Sequence, residues 1–95
     1  MLETVSVVIA AYNEEKTLPR LLASINKQTY PEIEVIVVDD SSSDDTANVA
    51  KKHKAIVFSR SHSERSVQRN FGTQKAKGKY LLFLDNLLEV QNHKN

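Results

Sequence analysis

Two neighbouring carboxylates, Asp39 and Asp40, close the apolar run Val35-Ile36-Val37-Val38 and open the polar stretch Ser41-Ser42-Ser43-Asp44-Asp45-Thr46. Adjacent ionised acids repel and raise each other's pKa, so the pair requires a cation, a donor-bearing ligand or helix dipoles close by. A third acid, Asp85, follows the apolar run Tyr80-Leu81-Leu82-Phe83-Leu84, and Tyr12-Asn13 follows another, Val5 to Ala11. Carboxylates accept hydrogen bonds from a base or sugar, and arginines donate in a planar fork that matches phosphate. With Arg60, Arg65 and Arg69 nearby in sequence, the set suits a phosphorylated ligand. His53, His62 and His93 are isolated from any second ligand at metal spacing, so structural or surface roles are expected of them and none is assigned to catalysis.

These residues need strands to carry them. A continuous β-branched run reads as a strand buried on both faces of a parallel sheet, and ligands collect just past the carboxyl ends of such strands. The chain alternates strand-like and helix-like segments, the pattern of βαβ units. Strands are predicted over 5–11, 33–38, 55–58 and 80–84. Leu18, Leu21, Leu22 and Ile25 share one helical face, with Pro19 confined to that helix's first turn. Ser43 is the expected N-cap of a helix running to about His53, where Asp44 and Asp45 complement the dipole and serve structure only. A third helix is predicted over 63–77, stopped by Gly78. Right-handed crossovers then give an α/β fold, a Rossmann-like three-layer α/β/α sandwich on a mostly parallel four-stranded sheet. Tyr12, Asn13, Asp39, Asp40, Ser59, Arg60 and Asp85 gather on one rim of it.

Composition sets outer bounds. Ninety-five residues make one domain, expected over 1–95 with a poorly ordered tail at 89–95. A net charge of +1 argues against general nucleic-acid binding, which needs a basic excess to neutralise phosphates. Without cysteine there is no disulfide framework and no thiolate metal site. No apolar stretch reaches the roughly 18 residues of a membrane span. The first residues lack the basic and apolar segments of a signal peptide, so a cytoplasmic location is the expectation.

Four segments together resemble the N-terminal half of family 2 glycosyltransferases with the GT-A fold. They are Val5-Ser6-Val7-Val8-Ile9-Ala10-Ala11-Tyr12-Asn13-Glu14-Glu15, the stretch from Glu34 to Thr46, Arg69-Asn70-Phe71-Gly72, and Ala76-Lys77-Gly78-Lys79-Tyr80-Leu81-Leu82-Phe83-Leu84-Asp85. The resemblance implies binding of a nucleoside diphosphate sugar, usually with uridine. By it, Asp40 accepts the pyrimidine N3–H, Tyr12 packs beside the base with Asn13 and Glu14 following it, and Arg69 faces the base or diphosphate. Asp39 belongs to the same site and is expected to orient the turn by accepting backbone N–H groups. Val67 and Phe71, four apart, are expected to mark the buried face of the third helix, leaving Arg69 off it. Arg65, one turn earlier, ranks behind Arg69 for phosphate.

The chain also departs from the family pattern. An Asp-X-Asp motif there ends the fourth strand, and its final carboxylate holds a divalent cation, Mn2+ or Mg2+; here Asp85-Asn86-Leu87 stands in its place. Leucine offers a hard cation no oxygen, which leaves Asp85 as a weak metal candidate and Glu89, off register, as a weaker substitute. Family members continue into an acceptor-binding half that supplies the general base, and this chain is expected to lack it, so transfer by the isolated chain is not expected. Three readings follow. The chain is the donor-binding part of a glycosyltransferase, joined or complemented by a C-terminal half; or a non-catalytic nucleotide-binding module; or a self-associating structural protein, a homo-oligomer.

Overall fold

The computed structural model describes residues 2–84. Along the chain run β1 (Val5–Ala11), α1 (Leu18–Asn26), β2 (Ile33–Asp39), α2 (Thr46–Lys52), β3 (Ile56–Ser59), α3 (Arg65–Lys75) and β4 (Tyr80–Leu84). The strands form one sheet in the order β3-β2-β1-β4, and its pairings are all parallel. Register sets Ala11 beside Asp39 and Asp39 beside Ser59, so β1, β2 and β3 end together on one rim.

The central strands are apolar on both faces because both faces are covered. Val7, Ile9, Ala11 and Val37 pack with Leu18, Leu22 and Ile25 of α1 and Ala50 of α2. The alternate residues, Val8 and Val38, lie under α3, where Gly72 approaches them. Burying each large aliphatic side chain fully contributes about 1.5–3 kcal/mol, and Ile9, Leu18, Leu22 and Ile36 are the largest so enclosed. Helices therefore cover both faces, giving the expected three-layer α/β arrangement. No helix among the described residues is long and apolar enough to cross a membrane.

Three local expectations are corrected. α2 starts at Thr46 rather than after Ser43, because the Ser43 N–H is taken by Asn13 Oδ1 at 2.8 Å and Asp44 Oδ1 receives the Thr46 N–H at 3.0 Å. α3 ends at Lys75, and Gly78 is not a left-handed stop, since no glycine has positive φ. Gly78 is glycine for space: a Cβ there would lie 2.6 Å from Ser6 Oγ and 2.7 Å from the Thr4 carbonyl. Finally, α3 buries Gln68 and Gly72, while Val67 is 41% exposed. A helix pressed this closely on β1 and β2 needs a small residue at the contact, so the apolar pair Val67 and Phe71 does not define its buried face. Asp85, Leu87 and the tail 89–95 lie outside the described residues.

Candidate functional site

At the rim the sheet's hydrogen bonding runs past the strands: the Asp40 N–H donates to the Ala11 carbonyl at 2.8 Å and the Arg60 N–H to the Asp39 carbonyl at 2.9 Å. Two residues beyond each central strand the chain enters the left-handed region, at Asn13 (φ 51°) and Ser41 (φ 62°). Asparagine adopts that conformation readily; serine does so at a cost, and such strain concentrates at functional turns. The two turns are zipped together. Asn13 N–H donates to Ser42 Oγ at 2.9 Å, Glu14 N–H to Thr46 Oγ1 at 2.8 Å, and Asp45 N–H to Glu15 Oε1 at 2.7 Å.

Between this brace and the start of α3 lies a cavity of about 340 Å3, bounded by Ala10, Tyr12, Asp40, His62, Arg65 and Gln68. A second cavity of about 350 Å3 lies between α1 and β4, lined by Val5, Val7, Leu21, Ile25, Leu82 and Leu84. That one offers no carboxylate, imidazole or guanidinium, so recognition chemistry belongs to the rim.

Asp40 dominates the rim cavity. It is 8% exposed and accepts three hydrogen bonds: Gln68 Nε2 at 2.6 Å and the Ser63 N–H at 2.9 Å on Oδ1, and His62 Nδ1 at 2.9 Å on Oδ2. Burial raises its pKa, but the Gln68, Ser63 and His62 hydrogen bonds and the imidazole's charge outweigh that and hold it below the usual aspartate range. The carboxylate is therefore an ionised, acceptor-only group at neutral pH. Tyr12, 51% exposed, and His62 stand beside it with ring centroids 6.0 Å apart and a 53° tilt.

The expected site residues divide. Tyr12 and Asp40 meet at the cavity. Asp39 faces the turn, accepting the Ser42 N–H at 3.3 Å on Oδ1 and the Ser59 hydroxyl at 3.3 Å on Oδ2. Asn13 and Glu14 serve the loop brace, with Glu14 Oε1 accepting the Thr17 hydroxyl at 2.6 Å. Arg69 does not line the cavity; its guanidinium lies 5.8 Å from the Phe83 ring centroid, whereas Arg65 does line it. His62, Ser63 and Gln68 were not expected there. The signal that points to them is topological: β3 also ends on this rim, so the segment linking it to α3 must pass beside Asp40.

A family model described as glycosyl transferase family 2 matches residues 6–92. The chain belongs to the family 2 glycosyltransferases. Over 88 residues this family 2 chain is 40% identical to the UDP-Glc:alpha-D-GlcNAc-diphosphoundecaprenol beta-1,3-glucosyltransferase WfaP of Escherichia coli, covering 88% of this chain and 35% of that protein. Its fold matches the crystal structure of Staphylococcus aureus TarS 1–349 with a TM-score of 0.83 at 34% identity, covering 87% of this chain and 27% of that one. TarS has also been solved with UDP-GlcNAc, matching at a TM-score of 0.76 and 32% identity. The mannosyltransferase PcManGT of Pyrobaculum calidifontis, in complex with GDP-Man and Mn2+, matches with a TM-score of 0.77 at 25% identity, covering 90% of this chain and 28% of that one. The family 2 chain thus has the GT-A fold over the N-terminal portion of these enzymes, and spans about a third or less of their length.

PcManGT holds Mn2+; in this family 2 chain the metal candidate, Asp85, lies outside the described residues. Among them no group of three His, Cys, Asp or Glu side chains is placed to hold one. Asp40 is ringed by N–H donors, the reverse of the oxygen cage a hard cation needs.

Proposed function

We infer that this chain is the donor-binding portion of a glycosyltransferase, a single subdomain over residues 1–95 that holds a nucleoside diphosphate sugar with uracil as its base. The observation that carries this is the ionised Asp40 carboxylate in the rim cavity beside the exposed face of Tyr12. An acceptor-only group takes the N3–H of uracil and finds no donor at the same position of cytosine. Tyr12 supplies an aromatic surface against which the base packs. The UDP-Glc in WfaP's name and the UDP-GlcNAc in the TarS complex support a uridine donor. Arg65, on the cavity wall, is the cation best placed for the diphosphate, with Arg69 one turn further along α3.

Calorimetry with UDP and CDP tests this reading. A hydrogen bond to a charged acceptor contributes about 1.5–3 kcal/mol, so Asp40→Asn is expected to weaken UDP by about tenfold or more while CDP changes little. An equal loss for both nucleotides contradicts the N3–H assignment. Because Leu87 stands where the family pattern has a metal-binding carboxylate, UDP affinity is expected to be nearly the same with and without Mn2+.

A further inference from the structure

We propose that Gln68 sets the base selectivity of this site by leaving Asp40 a single open acceptor position. The inference deepens the nucleotide reading above and rests on it. A bare carboxylate does not separate uracil from guanine, because both present an imino N–H. Guanine adds an adjacent amino group, so the two oxygens together would hold it well. Here the carboxylate is not bare. Oδ1 receives Gln68 Nε2 at 2.6 Å and the Ser63 N–H at 2.9 Å, which occupies both of its lone pairs. Oδ2 receives His62 Nδ1 at 2.9 Å, which leaves one. A base with one imino donor is satisfied by that position. A base with an imino and amino pair brings its second donor against an oxygen already filled.

Among the three donors Gln68 is the one that can set this count. The Ser63 donor is backbone and does not depend on the side chain at that position. The His62 side chain is 76% exposed and donates to Oδ2, so it does not govern the Oδ1 position that an amino group would need. Gln68 is fully buried, and its amide orientation is set by two acceptors, Asp40 Oδ1 and the Ser61 carbonyl at 3.0 Å. Turning the amide over would put its oxygen against both of them. In this orientation Gln68 Oε1 is buried without a donor among the described residues. An aliphatic side chain of similar length would fill the same space but would take this donor from the Ser61 carbonyl and reopen one position on Asp40 Oδ1, so it is the Gln68 Nε2 that closes that position.

Titration of the full chain with UDP, IDP and GDP tests the proposal. IDP carries the imino N–H of guanine without the amino group, and so separates donor count from purine size. The wild type is expected to bind IDP about tenfold more tightly than GDP, a difference of about 1.4 kcal/mol. In Gln68→Met, which keeps the volume and removes the donor, GDP is expected to come within about twofold of IDP, with a cooperative thermal transition confirming that the variant folds. Equal binding or equal rejection of IDP and GDP by the wild type overturns the proposal while leaving UDP recognition intact. So does an unchanged ratio in a folded Gln68→Met. If that variant does not fold, the wild-type ratio alone decides. Failure of the wild type to bind UDP removes the nucleotide reading itself, a result distinct from either.

Discussion

Asp40 is where burial and ionisation pull against each other. Its enclosure favours the neutral acid, yet the donors from Gln68, Ser63 and His62 prevail and its pKa is lowered. Asp44 moves the same way: burial opposes, while the Thr46 hydroxyl and N–H and the Glu15 N–H lower it. A carboxylate whose folded pKa lies below its unfolded value stabilises the fold fully above the unfolded value, about pH 4, and loses that contribution as pH falls through the folded value. Chemical denaturation followed from about pH 5 to about pH 2 is therefore expected to show stability falling with acid, and Asp40→Asn is expected to flatten that limb. An acid limb of unchanged slope in the variant would place the responsible protons elsewhere. Asp39 beside it is held differently, accepting from the Ser42 N–H and the Ser59 hydroxyl, each at 3.3 Å.

The helices show how far side-chain pattern carries and where it stops. α1 lies where its aliphatic spacing puts it, because Leu18, Leu22 and Ile25 bury as a stripe. β1 and β4 likewise coincide with their apolar runs. α3 does not follow that logic: its inward residues are a glycine and a glutamine, which no search for apolar periodicity finds. The same blind spot hid half of the site. Tyr12 and Asp40 are legible because they end strands, whereas His62 and Gln68 reach Asp40 from a segment and a helix face with no apolar signature. Gly72 shows the physical cause, since a Cβ there would stand 2.5 Å from Val8 Cγ1 and 3.2 Å from Val38 Cγ2. Gly72→Ala gains up to about 1 kcal/mol of helix propensity but meets an overpacking cost of about 1–3 kcal/mol against a buried, β-branched neighbour. Urea unfolding is expected to show net destabilisation, and a more stable variant would mean that α3 can lift from the sheet freely.

For the molecule as a whole, β4 is the less covered of the two edge strands among the described residues. Val8, Ile9, Val37 and Val38 of the central strands are fully enclosed, but in β4 Tyr80 is 55% exposed, Leu81 41%, Leu82 42% and Phe83 43%. Consecutive strand residues point to opposite faces, so over these four residues neither face of β4 is fully covered by the described residues. β4 also pairs with β1 alone among them, as β3 does with β2, so each is an edge strand of the described sheet. Unpaired edges and contiguous apolar surface both favour association with another chain. The full chain by itself is therefore expected to self-associate, with a weight-average mass in sedimentation that rises along a concentration series. Leu82→Lys puts a charge on the face shared with the α1 cavity and is expected to shift the population towards monomer. UDP binding should survive, because Leu82 does not line the rim cavity. A wild type that stays monomeric throughout the series would show that the β4 surface tolerates water. A complementing C-terminal half, added as a separate polypeptide, would instead compete with self-association if both use β4, and the Leu82→Lys substitution should weaken the two equally.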